Sequence, residues 1–435
     1  MPETRTIRID PKMFIGKPFT KCPKCKKEDS YGLLMVNTRS YTKRCRECWY
    51  SENYDLPALD KKIIYLDQFV ISNMMKAINE KLGKKEKVDK VYLKLFEELD
   101  RMVKLQLIIC PDSMYHRDES LLSFYKALKR MYEHLSYATT FYDSGTIRRF
   151  QLDEDFKNYL TSKSSDWKSL LDTSDVLPGD WADWQDKLLI TVDSLIKQKE
   201  IDSFKAIRLT TYENVKTIFN GWQQEKTKSC LDFFKEIASS YGAAIVKGYA
   251  NMMAKYIQVS MGAREPTIDD VYSITNEESI LISSMLRYLP NGADDFENIK
   301  KIMTYLKSDR LETVPINEIY SAIWAAIAYQ SSRGGRTTPP NVGMFNDVEM
   351  VGTLLPYCDA IFVDKDMYSL LNFGAVKKVL SKYKAKVFSL TNINDFFGYL
   401  EEIKKNTSKK HYETIKQVYG NNWDRPFYEM YDKNE

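Results

Sequence analysis

Two CxxC pairs, Cys22 with Cys25 and Cys45 with Cys48, stand nineteen residues apart near the start of the chain. Each pair sets two thiolates on one tight turn, and two such turns complete a tetrahedron of sulfurs around Zn2+. Four cysteine ligands leave no open coordination position, so the site reads as structural. The stretch between them holds Leu33, Leu34, Met35 and Val36, which suits the hairpin of a zinc ribbon. A unit of about fifty residues cannot build a sufficient core alone, so metal binding supplies folding energy. Around the knuckles, Arg39, Tyr41, Lys43, Arg44, Arg46, Trp49 and Tyr50 interleave cations with rings. Cations meet phosphates and rings stack on bases, so Arg44 and Trp49 are candidate substrate contacts. The competing readings are a solvated basic face and a protein-docking module.

A second set of residues is acidic. Asp67 closes IIYLD, Glu119 lies in CPDSMYHRDES, Asp347 in MFNDVEMVGTLL, and Asp364 closes AIFVD. Carboxylate oxygens suit Mg2+ or Mn2+. Such ions polarise a phosphate, lower the pKa of a bound water and steady a leaving oxygen. Each acid alone has a plainer reading. Asp67 could cap the following helix, Asp347 could answer the helix dipole, Asp364 could be a turn residue, and Glu119 a solvated helix carboxylate. His116, three residues before Glu119, shares its helical face. It is a candidate for contacting a phosphate or a metal-held water, or a capping or core histidine. His134 and His411 have no motif around them. Arg333 and Arg336 flank two glycines in QSSRGGRTTPPNVG, residues 330–343, and could grip phosphates from that flexible loop. No GKS or GKT follows, so this is not a phosphate-binding P-loop. Nor is there a GxSxG, HExxH, GxGxxG or kinase signature. Cys110 and Cys358 border predicted strands and read as buried thiols.

The elements that must position these residues come from periodicity. Residues 61–70 read as a buried strand, followed by a helix over 71–79 and a polar break at 81–87. The spacing predicts a helix over 91–105 and a strand over 107–110. From about 121 to 306 the chain is helical, with 3.6-type spacing over 186–199, 203–219, 231–257 and 279–289. Turn signals fall at Pro178-Gly179 and Pro290-Asn291-Gly292. Helices are expected over 315–329, 346–357 and 395–403, and strands over 360–363 and 385–389. Strands at both ends of a long helical stretch imply one α/β sheet interrupted by an insertion.

The acidic segments resemble the PIN-domain nucleases, or a PIN-like branch of them. IIYLDQFVIS, SMYHRDES and NDVEMVGTLLPYCDAIFVDKDMYSLL carry the resemblance, over roughly 60–125 and 340–402. In that family an acid ends the first strand, a second sits on a helix after the second strand, a third starts a later helix, and a fourth ends the next strand. Asp67, Glu119, Asp347 and Asp364 match those positions in order. The resemblance implies a PIN-like parallel-sheet core and hydrolysis of RNA, or of DNA in some members, dependent on Mg2+ or Mn2+. Two departures stand out. A long helical stretch separates the second and third acids, and Asp112 and Asp118 compete with Glu119 as Asp359 and Asp366 do with Asp364.

The expected organisation is a zinc ribbon over 1–58, a core first part over 59–125, a helical insertion over 126–330, a core second part over 331–404 and a tail over 405–435. With 435 residues, 43% apolar and 29% charged, the chain can bury a large core. A net charge of +4 neither demands nor excludes nucleic acid. No apolar run is long enough for a membrane span, and MPETRTIRIDPK lacks the apolar centre of a secretory signal. Seven cysteines, four in one cluster, fit a reducing compartment. The expectation is a cytoplasmic metal-dependent endonuclease favouring RNA, a toxin or defence effector in role. A protein partner could meet the ribbon or insertion. The alternative is a non-catalytic binding module with a structural zinc.

Overall fold

The computed structural model describes residues 10–120, 125–185, 212, 213, 215–265, 267, 276–290, 295–426 and 428. The helices expected over 186–199 and most of 203–219, and the turn at Asn291-Gly292, lie outside these residues.

Among the described residues, eight strands form two four-stranded sheets. The first is an antiparallel meander of β1 (Gly16–Thr20), β2 (Tyr31–Val36), β3 (Ser40–Cys45) and β4 (Ser51–Asp55). The hairpin expected between the CxxC pairs is β2–β3, with Tyr31 opposite Cys45 and Val36 opposite Tyr41.

The second sheet is parallel throughout. It comprises β5 (Lys62–Leu66), β6 (Ile108–Ile109), β7 (Ala360–Phe362) and β8 (Lys386–Phe388), in the order β6-β5-β7-β8. Strand residues alternate between its faces. Ile64, Leu66, Ala360 and Phe362 enter one apolar core, while Ile63, Tyr65, Ile361 and Val363 enter another. All eight are buried, as expected of a parallel sheet covered on both sides.

One face is covered by α1 (Gln68–Lys81), α2 (Val91–Lys104) and α4 (Tyr125–Ser136), and by two helices near the end of the chain. Short α3 (Met114–Ser120) follows β6, and α5 (Ser144–Leu160) and α6 (Trp167–Leu170) lead into the interrupting region. There α7 (Cys230–Ser260), α8 (Glu277–Leu286) and α9 (Asp295–Leu306) build a third core with α5. Gly242 lets α7 pass close to α9, because a Cβ there would lie 1.7 Å from the carbonyl oxygen of Leu306. The other sheet face packs on α10 (Pro315–Ser332), α11 (Val342–Leu354), α12 (Lys365–Leu371) and α13 (Gly374–Leu380). The two late helices on the first face are α14 (Ile393–Lys405) and α15 (Lys409–Tyr419). The stretch after Lys404, which periodicity did not place, thus buries Ile415 and Val418 in a core.

Several boundaries differ from the periodicity reading. The strand expected over 61–70 stops at Leu66, because Asp67 turns the chain and caps α1; Phe69 and Val70 are already helical. The loop expected over 330–343 shrinks to 333–341, since α10 runs to Ser332 and α11 begins at Val342. Asn341 caps α11 by accepting from the Met344 amide, so Asp347 sits in the second turn and does not begin the helix. Among the described residues, no helix is long and apolar enough to cross a membrane.

Candidate functional site

The cysteine cluster is the simpler site. Its four ligand atoms lie within 4.8 Å of one another. Sulfurs of Cys22 and Cys48 are 3.6 Å apart, and those of Cys25 and Cys45 are 3.7 Å apart. A tetrahedron with arms of about 2.3 Å has S···S edges of about 3.8 Å, so the spacing fits one Zn2+. Amides of Glu47 and Cys48 donate to Cys45 Sγ at 3.4 and 3.5 Å, and Ser30 Oγ lies 3.4 Å away. Burial pushes the Cys45 thiol up, but these amides and the hydroxyl outweigh it and bring it down to about 6. At Cys45 the thiolate needed for a metal is therefore favoured by the fold itself. At Cys25 the Lys27 backbone, which favours the thiolate, is outweighed by desolvation and the neighbouring sulfurs, which push the thiol up to about 11.

The basic, aromatic surface of the ribbon is less open than its composition implied. Tyr41 and Lys43 are buried, and Tyr41 stacks on Tyr54. The Arg46 guanidinium lies over Phe19 and donates to the Lys12 carbonyl. Arg44 sits over the half-exposed Trp49 ring, 5.3 Å from its centroid. The two candidate contacts are thus paired with each other. Leu33, Val36, Tyr41 and Leu56 join the same core as β5 and α1, so the ribbon is a wall of the main body.

The acids come from four separate elements. Asp67 follows β5 and caps α1, its carboxylate accepting from the Phe69 amide at 3.4 Å. Asp364 follows β7 by one residue and caps α12, accepting from the Met367 amide at 2.7 Å. Parallel register pairs Leu66 with Phe362, which brings these two caps to neighbouring strand ends. Glu119 rides on α3 and Asp347 on α11. Asp67, Glu119 and Asp347 line one narrow cavity with Tyr65, Gln68, Tyr115, His116, Asn346 and Met350. Its free volume is about 10 Å3, room for one water. Asp364 stands close enough for its charge to act on Asp67. Burial first, then the charges of Glu119 and Asp364, push the Asp67 carboxyl up to about 7, against the opposing Phe69 amide and His116.

The competing acids have other tasks. Asp112 accepts from the Ser113 amide and from His116 Nδ1. Asp359 lies at the other end of β7, accepting from the Ile63 amide and pairing with Lys384. Asp366 is exposed in the first turn of α12. Neither Arg333 nor Arg336 lines the acid cavity. Arg333 caps α10, donates to the carbonyls of Lys226 and Lys228, and lies over Tyr329. His116 is buried, with both ring nitrogens engaged, so it is not free to reach a phosphate. Cys110 and Cys358 are buried thiols, as read from sequence.

Tyr65, Tyr115 and Asn346 were not singled out by sequence reasoning. Only their adjacency to Asp67, His116 and Asp347 could have flagged them. Much larger cavities lie elsewhere. One of about 590 Å3 lies between α6, the start of α10 and the turn before β8. That turn is at the strand ends opposite the acids. Volume therefore points to the edge opposite the acids, whereas convergent carboxylates with one strongly perturbed member are a physical guide to chemistry. Ligands of open α/β sheets bind beyond the carboxyl ends of strands where the strand order reverses. In the order β6-β5-β7-β8 that point falls between β5 and β7, which carry Asp67 and Asp364.

Oxygen donors of this type fit a hard divalent cation. Among the described residues, no three of these acids bring their oxygens within 4.8 Å of one another. No protein-family model, curated protein or solved structure matches this chain. What fold and site define is a class: a mixed α/β protein with a parallel sheet, and a four-cysteine cluster able to hold a metal.

Proposed function

We propose that this protein is a PIN-like, divalent-metal-dependent endonuclease that hydrolyses phosphodiester bonds, with RNA favoured over DNA. The observation that carries the reading is the meeting of Asp67, Glu119 and Asp347 in one cavity at the switch point of a parallel sheet, with Asp364 beside them. Asp67 and Asp364 would hold the cation from the strand ends, and Glu119 and Asp347 from the flanking helices, directly or through water. A bound Mg2+ or Mn2+ would supply charge against the phosphate and lower the pKa of a water. The chain's own contribution is placement. Two caps fix the strand-end carboxylates, and Tyr65 and Tyr115 wall the cavity. The zinc ribbon would aid recognition of substrate or of a protein partner, with Arg44 and Trp49 at its surface. Arg333 and Arg336 would contact the nucleic acid further from the acids.

One observation favours a second reading, a non-catalytic nucleic-acid- or protein-binding module. Asp67 and Asp364 already serve as helix caps, a sufficient structural reason for both. Cleavage of labelled RNA and DNA with Mn2+ or Mg2+ separates the two. On the nuclease reading the wild-type protein cuts, while Asp67→Asn and Asp364→Asn, which keep the caps, lose about a hundredfold or more in rate. Cleavage that survives both substitutions, or an inert wild type, sinks it.

A further inference from the structure

His116 is buried on α3, and each ring nitrogen faces an acceptor. Nε2 lies 2.6 Å from the Leu66 carbonyl oxygen and Nδ1 lies 2.9 Å from Asp112 Oδ1. The Leu66 carbonyl can only accept, so Nε2 carries a proton, while Nδ1 meets a carboxylate oxygen of Asp112. Its faces are covered by rings. Tyr65 stacks parallel at 4.8 Å, and Tyr132 lies 4.7 Å away on a 19° tilt. Burial opposes the charged form, but Asp112, the Leu66 carbonyl and the nearby Asp67 outweigh it and raise the histidine above its ordinary range.

The acceptor matters as much as the charge. Leu66 O belongs to the peptide that leads into Asp67. The N–H of that same peptide donates to the Phe362 carbonyl at 3.0 Å, two residues before Asp364. One peptide group is thus clamped from both sides, by the strand that leads to Asp364 and by the helix that carries Glu119. We propose that His116 is a positioning residue of the acid site. Its Nε2–H ties the Leu66–Asp67 peptide to the head of α3 and so fixes the spacing between Asp67 and Glu119. This rests on the reading that those acids hold a divalent cation.

The charge bookkeeping makes the test sharp. Replacing His116 with glutamine takes the ring from Asp112, which keeps the Ser113 amide, and adds no positive charge near the acids. Electrostatics alone then predicts equal or tighter binding of a cation. Lost positioning predicts weaker binding, by about 10–100-fold as for other residues that orient metal ligands. Mn2+ affinity is measured by electron paramagnetic resonance on the full zinc-loaded chain, wild type against His116→Gln. A buffer at about pH 8.5 keeps the carboxylates ionised. Weaker binding by a variant with an unchanged circular dichroism spectrum supports the role; equal or tighter binding overturns it. A wild type that binds no Mn2+ overturns the acid-site reading and this role with it. Ring 15N spectra of the wild type give a second measurement, tractable because the chain has three histidines. A proton on His116 Nε2 is expected, and a ring without a proton on that nitrogen overturns the proposal even if His116→Gln fails to fold.

Discussion

At the scale of the residue, Asp67 carries the clearest consequence. Its carboxyl is held near 7 in the folded chain and titrates near 3.9 when unfolded. The folded state therefore binds this proton more tightly. The advantage is present below the unfolded value and is lost as pH climbs toward 7, because an ionised Asp67 is buried beside other acids. Without added Mg2+ or Mn2+, and with zinc retained, stability should fall between about pH 4 and 7 by roughly 1–4 kcal/mol from this group. Denaturant titrations across that range measure it. Asp67→Asn keeps the cap, since asparagine serves that position as well as aspartate. The variant should match wild type near pH 4 and exceed it near pH 8. A wild type that gains stability toward pH 8 without metal would contradict the placement of Asp67 among like charges.

At the scale of the element, two joints hold the parts together. In the first, Asp155 on α5 accepts from Arg310 Nε at 3.0 and 2.9 Å, and from Tyr305 and Ser165. Asp155 is 1% exposed, so losing one partner strands a buried charge. Arg310→Met should cost about 3–5 kcal/mol in chemical denaturation. Asp155→Leu made together with it should recover part of that loss, because an apolar pair replaces an ionic one. The second joint is the ribbon. Its Leu33, Val36, Tyr41 and Leu56 are shared with the main core, each worth about 1.5–3 kcal/mol when buried. Cys22→Ser with Cys25→Ser should therefore release zinc and lower the melting temperature of the whole chain, with zinc followed by elemental analysis. An unchanged melting temperature would mean that the ribbon folds and docks without metal. The organisation expected from sequence set the ribbon over 1–58 apart from the core that carries the acids. The shared core joins the two, because a short four-stranded sheet buries one face on whatever lies beneath it.

At the scale of the molecule, the parallel sheet interleaves the two ends of the chain. β5 and β6 come from before the helical region, and β7 and β8 from after it. A chain ending before Pro315 would keep only β5 and β6 of this sheet, and two short strands are not stable alone. Such a fragment should be insoluble or unfolded by circular dichroism. Co-expression with 315–435 should restore soluble protein if the halves find each other. A fragment that folds cooperatively by itself would show that the helices before Pro315 have an independent core sufficient for stability.

Much of this was legible in the sequence because it is local. The CxxC spacing places two sulfurs on each turn whatever the rest of the chain does. The 3.6-residue rhythm marks Val91–Lys104 and Cys230–Ser260 as helices, and apolar runs mark β5, β7 and β8. The acids were visible as types at strand ends and on helices, each with a plainer reading: a cap for Asp67, the helix dipole for Asp347, a turn for Asp364 and a solvated helix carboxylate for Glu119. Their meeting was not decided there. It depends on the register that sets Leu66 against Phe362 and on α3 and α11 closing over the strand ends, since pairing across a long interruption is fixed by packing rather than propensity. Protonation was in part a tertiary decision: burial, then Glu119 and Asp364 distant in sequence, push the Asp67 carboxyl up, while His116 is raised against burial by Asp112, four residues away, and by the distant Leu66 carbonyl.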